Sequence, residues 1–149
     1  MPWTYRHATR EWRAFLTDVK DRADLVSDNM AYTAIDGVFR TFRRRLTVED
    51  AVAFANVLPS VPRAVFVQDW DVTQAPVSFA DRAELTREAQ ALRKDHNLTP
   101  DTAIEAVAWA LWRRVDHTTF RRCLDRLPPG ATEFWAVDAN PGELAHRFS

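Results

Sequence analysis

Arginine dominates the side chains of this sequence that could do chemistry. Arg40, Arg43, Arg44 and Arg45 crowd one short segment, and Arg113 and Arg114 echo its last pair. Of 20 basic residues only Lys20 and Lys94 are not Arg, and the guanidinium fork suits phosphate and carboxylate. Arg40, Arg43 and Arg44 stand at i, i+3 and i+4, so on a helix they share a face opposite Phe39 and Phe42. Two readings follow. Cations near a helix C-terminus are favoured by its dipole and pair with neighbouring acids, which requires no ligand. Alternatively, Arg40, Arg43, Arg44, Arg113 and Arg114 form an anion-binding patch for a phosphoryl ligand, nucleic acid or an acidic partner.

Little else is arranged for catalysis. His7, His96, His117 and His146 are scattered, and no paired-Cys or His-Glu-x-x-His spacing exists, so no metal or cofactor is expected. His7 with Glu11, and Glu143 with His146, can share helical faces and read as polar surface near the termini. The single cysteine, Cys123, follows Arg121 and Arg122 yet falls on an apolar stripe, which favours a buried structural thiol. Gly37, Gly130 and Gly142 are isolated, so there is no phosphate-cradling loop. Six tryptophans are many. Trp12, Trp109 and Trp135 fit buried stripes and Trp112 fits less well, whereas Trp3 and Trp70 fall outside the stripes. Those two are candidates for an interface, or for lids over the core.

The elements that must carry these residues are helical. Trp12, Phe15, Leu16, Val19 and Ala23 mark one amphipathic stripe, and Ala31, Ile35, Val38, Phe39, Phe42 and Leu46 mark a second behind a Ser27 or Asp28 cap. Thr47 with Asp50 opens a third helix that Pro59 stops, and a short helical turn runs on through Phe66. After the polar stretch at 71–78 the plan restarts. Ser78 and Asp81 resemble a capping box before Leu85, Ala89, Leu92 and His96; Thr99 and Pro100 predict the next start, before Ala103, Val107, Ala110 and Leu111. Asp116 caps a helix with Phe120, Cys123, Leu124 and Leu127, Pro128 breaks it, and Phe134 and Trp135 follow. The tail from Ala139 is expected to fray.

The chain also echoes itself. At an offset of 69, Ala34, Ile35, Val38, Arg44, Arg45, Leu58, Pro59 and Asp69 meet identical residues at Ala103, Ile104, Val107, Arg113, Arg114, Leu127, Pro128 and Asp138. Upstream the better offset is 72 or 73, so the second copy is shorter by about one helical turn in or after its second helix. The expected fold is all-α: two tandem copies of a three-to-four-helix unit packed as one pseudo-twofold bundle, residues 1–72 and 79–149 joined by a 73–78 linker. A half of this size buries too little surface to be comfortable alone.

The stretch "SDNMAYTAIDGVFRTFRRRLTVEDAVAFANVLPSVPRAVF" and its shorter counterpart "LTPDTAIEAVAWALWRRVDHTTFRRCLDRLP" resemble the bacterial domain-of-unknown-function family 2267 over roughly residues 11–138. That resemblance implies an all-helical tandem fold and supplies no activity or catalytic residues.

A net charge of −1, shared almost evenly between the halves, gives no global pull toward nucleic acid. No apolar run could span a membrane, and no signal-like segment opens the chain, so a cytoplasmic protein is expected. The reading is a non-enzymatic module that contacts a protein partner, a homodimer being one form, with an anion or nucleic-acid binder as the alternative.

Overall fold

The computed structural model describes residues 2–92, 99–140 and 142–144. Within them the chain is helical, with no strand. A short α1 (Trp3–Arg6) leads into α2 (Ala8–Ala23), α3 (Asp28–Arg43), α4 (Val48–Ala55) and α5 (Ser60–Val67). After an irregular stretch come α6 (Arg82–Ala91), α7 (Ala103–Trp112), α8 (His117–Arg126) and α9 (Ala131–Trp135). Among the described residues no helix is long and apolar enough to cross a membrane.

Helix ends fall where local chemistry sets them. Ser27 Oγ accepts from the Met30 amide, Thr47 Oγ1 from Asp50, and Asp116 Oδ2 from Thr119, which answers the orphan donors of α3, α4 and α8. Asp24, at φ 55°, closes α2 in the left-handed region. Pro59 and Pro128 precede α5 and α9 as expected.

Two starts differ from the sequence reading. Asp81, not Ser78, caps α6, accepting from the Glu84 amide. Residues 77–78 are instead tied, outside any helix, to the end of α3, Val77 N–H to the Arg44 carbonyl and Arg45 Nε to the Ser78 carbonyl. The second difference is at α7, which begins at Ala103 and not at Pro100. Gln90 Nε2 donates to both the Thr99 carbonyl and Asp101 Oδ1, holding this stretch as a turn. The C-terminal ends of α3 and α7 keep the 69-residue spacing, so α7 is short at its front rather than within or after it. His96 and His146 lie outside the described residues, as does most of the expected frayed tail.

α3 and α7 are the central helices. α3 buries Ala31, Ala34, Ile35, Val38, Phe39 and Phe42, and α7 is apolar nearly all round from Ala103 to Trp112. A helix so patterned must be covered on most sides. α2 and α6 supply that cover crosswise: the broadest helix pairings are α2 against α7 and α3 against α6. Gly37 permits the second, because a Cβ there would sit 2.8 Å from the Ala89 carbonyl oxygen of α6. The short helices seal the core with a ring cluster in which Trp135 lies 5.3 Å from Phe42, 5.5 Å from Phe54 and 6.2 Å from Phe120. Leu92, expected on the α6 stripe, is exposed, while Trp112 is more deeply buried than Trp12 or Trp109.

Candidate functional site

The predicted arginines do not form one solvated face. Arg44 and Arg45, at the end of α3, both meet Glu88 of α6: Arg44 at 3.1 Å, and Arg45 through Nη1 and through Nη2 at 3.0 Å. Arg113 and Arg114, at the end of α7, both meet Asp18 of α2, at 2.8 and 3.1 Å. Each Arg-Arg pair therefore clamps a carboxylate on the helix that crosses its own. Asp18 stands beside Val19 and Glu88 beside Ala89, both buried, so each acid is held at the edge of the core. Arg40 pairs with Asp36 within α3 at 2.9 Å and reaches Asp69 at 3.6 Å; its bond to Asp36 raises its pKa further.

Arg43 is different. Its residue is only 6% exposed, against 43% for the Arg44 side chain, so it does not share the solvated face that spacing predicted. Its Nη1 donates at 2.9 Å to the carbonyls of both Phe66 and Gln68, where α5 ends, and its guanidinium lies 5.3 Å from the Trp70 ring centre. Nε is buried with no partner. Burial pushes this guanidinium below its ordinary pKa, Arg40 adds repulsion, and Asp36 and Asp69 oppose. At the matching place of α7, Trp112 Nε1 donates at 2.7 Å to the carbonyl of Trp135, where α9 ends. One hydrogen-bonding task is thus done by a guanidinium in one half and an indole in the other.

A cleft of about 520 Å³ opens against the end of α3. Its lining includes Arg40, Arg43, Arg44, Asp69, Trp70 and Asp71, with Leu46, Val77 and Leu92 as apolar wall. A second cleft, of about 470 Å³, is lined by Trp109, Arg113, Asn140, Gly142 and Glu143. Four of these, Trp109, Arg113, Asn140 and Glu143, stand 69 residues after Arg40, Arg44, Asp71 and Gln74 of the first cleft. In the second cleft Trp109 is flanked by Arg22 at 5.0 Å and Arg113 at 4.8 Å from its ring centre. Volumes of this order suit small ligands or single anchoring side chains.

Of the two predicted interface tryptophans, Trp70 is half-buried and lines the first cleft, whereas Trp3 is 39% exposed with its ring 4.9 Å from His7. They lie at opposite ends of α5, because Thr4 is hydrogen-bonded to Ser60 at 2.8 Å. Cys123 is half-buried, and burial raises its thiol pKa, with Arg126 opposing; that environment disfavours the nucleophilic thiolate. Among the described residues no group of three His, Cys, Asp or Glu side chains is placed to hold a metal ion.

Spacing alone missed Asp18 and Glu88 as partners and Trp112 as a cap. Each acid lies directly before a buried stripe residue in the chain, Val19 or Ala89, a signal available in the sequence.

An all-helical chain with crossed central helices and two matched clefts, each beside an arginine corner, is the class that this geometry defines. The family described as "Uncharacterized conserved protein (DUF2267)" matches residues 12–134, and the chain belongs to it. No curated protein matches the sequence.

Proposed function

We propose that the chain is a bacterial, cytoplasmic, non-enzymatic binding module that acts through contact with a protein partner. In this reading it is built from two tandem copies of one helical unit about a pseudo-twofold axis. The observation that carries the reading is the reciprocal clamp, Arg44 and Arg45 on Glu88, Arg113 and Arg114 on Asp18. It supports duplication, because the same task recurs across the crossed helix pairs. It also weakens the alternative: arginines engaged with a carboxylate, two to each acid, present less charge to a polyanion.

Protein contact is supported by the cleft linings. Trp and Arg are the side chains that most often anchor protein interfaces, and each cleft presents both beside partly exposed surface. Trp3, with Tyr5 exposed nearby, offers a further anchor. The test pairs two measurements. Retention on heparin should be weak and unchanged by Arg43→Glu with Arg44→Glu; salt-sensitive retention abolished by those substitutions would overturn the reading in favour of nucleic acid. Capture of a partner from the native host should be lost when Trp70 and Trp109 are both replaced by Ala. Light scattering over a concentration series shows whether a second copy of the chain is that partner.

A further inference from the structure

We propose that the first cleft is a binding site for a single carboxylate carried on an apolar or aromatic body, with Arg43 as its anchoring cation. The inference deepens the binding-module reading by naming the chemistry one cleft selects. It does not depend on whether the carboxylate arrives on a small acid or on a partner protein.

Among the described residues the charges around the cleft balance, but Arg43 touches none of the carboxylates directly. Arg40 is engaged by Asp36 and Asp69, and Arg44 by Glu88. Among the described residues Arg43 has hydrogen bonds only to neutral carbonyls, both through Nη1. A buried cation without a directly bonded anion is costly. At the matching place an indole answers the matching carbonyl, and Arg82 of α6 reaches in from another helix to the neighbouring carbonyls of Glu133, Phe134 and Ala136. The guanidinium therefore leaves its remaining donors at the cleft. Burial, which lowers its pKa, favours the arrival of an anion for the same reason.

The rest of the lining defines the ligand. Asp69 and Asp71 also face the cleft, so a phosphate dianion or a polyanion would meet two carboxylates as well as three arginines. One carboxylate matches the one guanidinium of the lining that, among the described residues, has no direct carboxylate contact. Trp70, Leu46, Val77 and Leu92 offer an apolar wall, suited to a ring or branched chain attached to that carboxylate. The second cleft lacks this anchor. Trp109 stands where Arg40 does, Trp112 replaces Arg43 without lining the cleft, and Glu143 stands at the place of Gln74.

The test is a titration followed by NMR of the arginine side-chain N–H groups and by calorimetry, on the full chain. The probes are phenylacetate, acetate, inorganic phosphate and phenethylamine, together with an end-blocked peptide bearing Asp beside Phe. Phenylacetate should bind saturably, shift the Arg43 Nε–H signal, and bind more tightly than acetate or phosphate; phenethylamine should not compete. Binding of the peptide alone places the carboxylate on a protein partner, binding of phenylacetate alone places it on a small acid, and either supports the site. Arg43→Gln should weaken binding at least about tenfold, roughly 1.4 kcal/mol, and Trp70→Leu should weaken it less. If Arg43→Gln does not fold by circular dichroism, Arg43→Lys, which keeps the charge and loses the guanidinium fork, carries the same comparison. Absence of saturable binding by either carboxylate, tighter binding of phosphate, or affinity indifferent to both cleft variants would each overturn the assignment. None of these outcomes bears on heparin retention or partner capture, so the two proposals fail separately.

Discussion

The corner where α3 ends and the corner where α7 ends solve one structural problem with different side chains. In each, the residue closing the long helix must answer a carbonyl left free at the end of a short helix. Arg43 does so for Phe66, and Trp112 for Trp135. Each corner then uses its following Arg pair to grip an acid on the crossing helix, Glu88 or Asp18. The clamp is common to both corners, and what differs between them is the capping residue of the long helix: at the second corner the indole is joined by Arg82 of α6, which donates to the carbonyls of Glu133, Phe134 and Ala136. Features shared by the corners are best explained by folding. A buried cation on the long helix itself stands at the first corner, and it borders a cleft.

The largest effects should come from the aromatics that these caps hold in place. Trp135 is fully buried and touches rings of α3, α4, α8 and α9, whereas Phe66 meets only Phe39 and Phe54. Trp135→Ala should cost about 5 kcal/mol and Phe66→Ala about 3 kcal/mol in urea unfolding. Equal losses would mean that the two corners bear the core equally, and the contrast drawn here would fail.

The clamps come next. Each acid answers two guanidiniums, one of them deeply buried, Arg114 or Arg45, but Asp18 is the better buried acid, its side chain 11% exposed against 22% for Glu88. Asp18→Asn should therefore destabilise by about 3 kcal/mol, since removing one member of a buried pair leaves its partners poorly compensated. Glu88→Gln should cost about 1–2 kcal/mol, within the range for a hydrogen bond to a charged group. Thermal melts at matched pH and salt would check the order, and the reverse order would place the stronger clamp at the first corner.

The cap itself is smaller again. Trp112→Phe keeps a ring in place but removes the N–H that reaches the Trp135 carbonyl. A buried carbonyl without a partner costs about 1–2 kcal/mol. A loss near zero would show that the indole is there for its bulk and not for its donor.

Much of this fold can be read in the chain, and the reasons are local. Apolar spacing, Ser27, Thr47 and Asp116 as caps, and Pro59 and Pro128 as stops act within one turn of helix, so pattern and structure agree. The two misplaced starts were decided at longer range. Arg45 reaches 33 residues to hold Ser78 outside any helix, and Gln90 reaches across to Thr99 and Asp101. The arginine site was half legible for a similar reason. Helical geometry puts Arg40, Arg43 and Arg44 on one side, but it does not show that α5 ends against that side. The carbonyls of Phe66 and Gln68 turn one of three apparently equivalent cations into a buried one. The 69-residue echo pointed to matched stretches of scaffold, and the matched clefts became visible only once both corners were in place.

The smallest expected effect concerns a carboxyl group that the two halves treat differently. Glu11 lies near the start of α2 and is buried, with Oε2 unpartnered; the residue 70 positions on, Asp81, is exposed and caps α6. Burial raises the Glu11 pKa above 4.5, and the Arg114 charge opposes the rise. An acid whose folded pKa is raised holds its proton in the folded state after the unfolded chain has lost it. Its contribution is full below the ordinary carboxylate range and is lost as pH climbs through the folded value. For one proton the slope cannot exceed about 1.4 kcal/mol per pH unit. Glu11→Gln, which stays neutral, should remove that decline, so the variant gains on the native chain as pH rises from about 4.5 toward neutrality. Urea midpoints at stepped pH would follow the gain. A constant difference between the two proteins would mean that Arg114 compensates Glu11 fully, and that the second corner holds two matched pairs of charges instead of a clamp beside a reluctant acid.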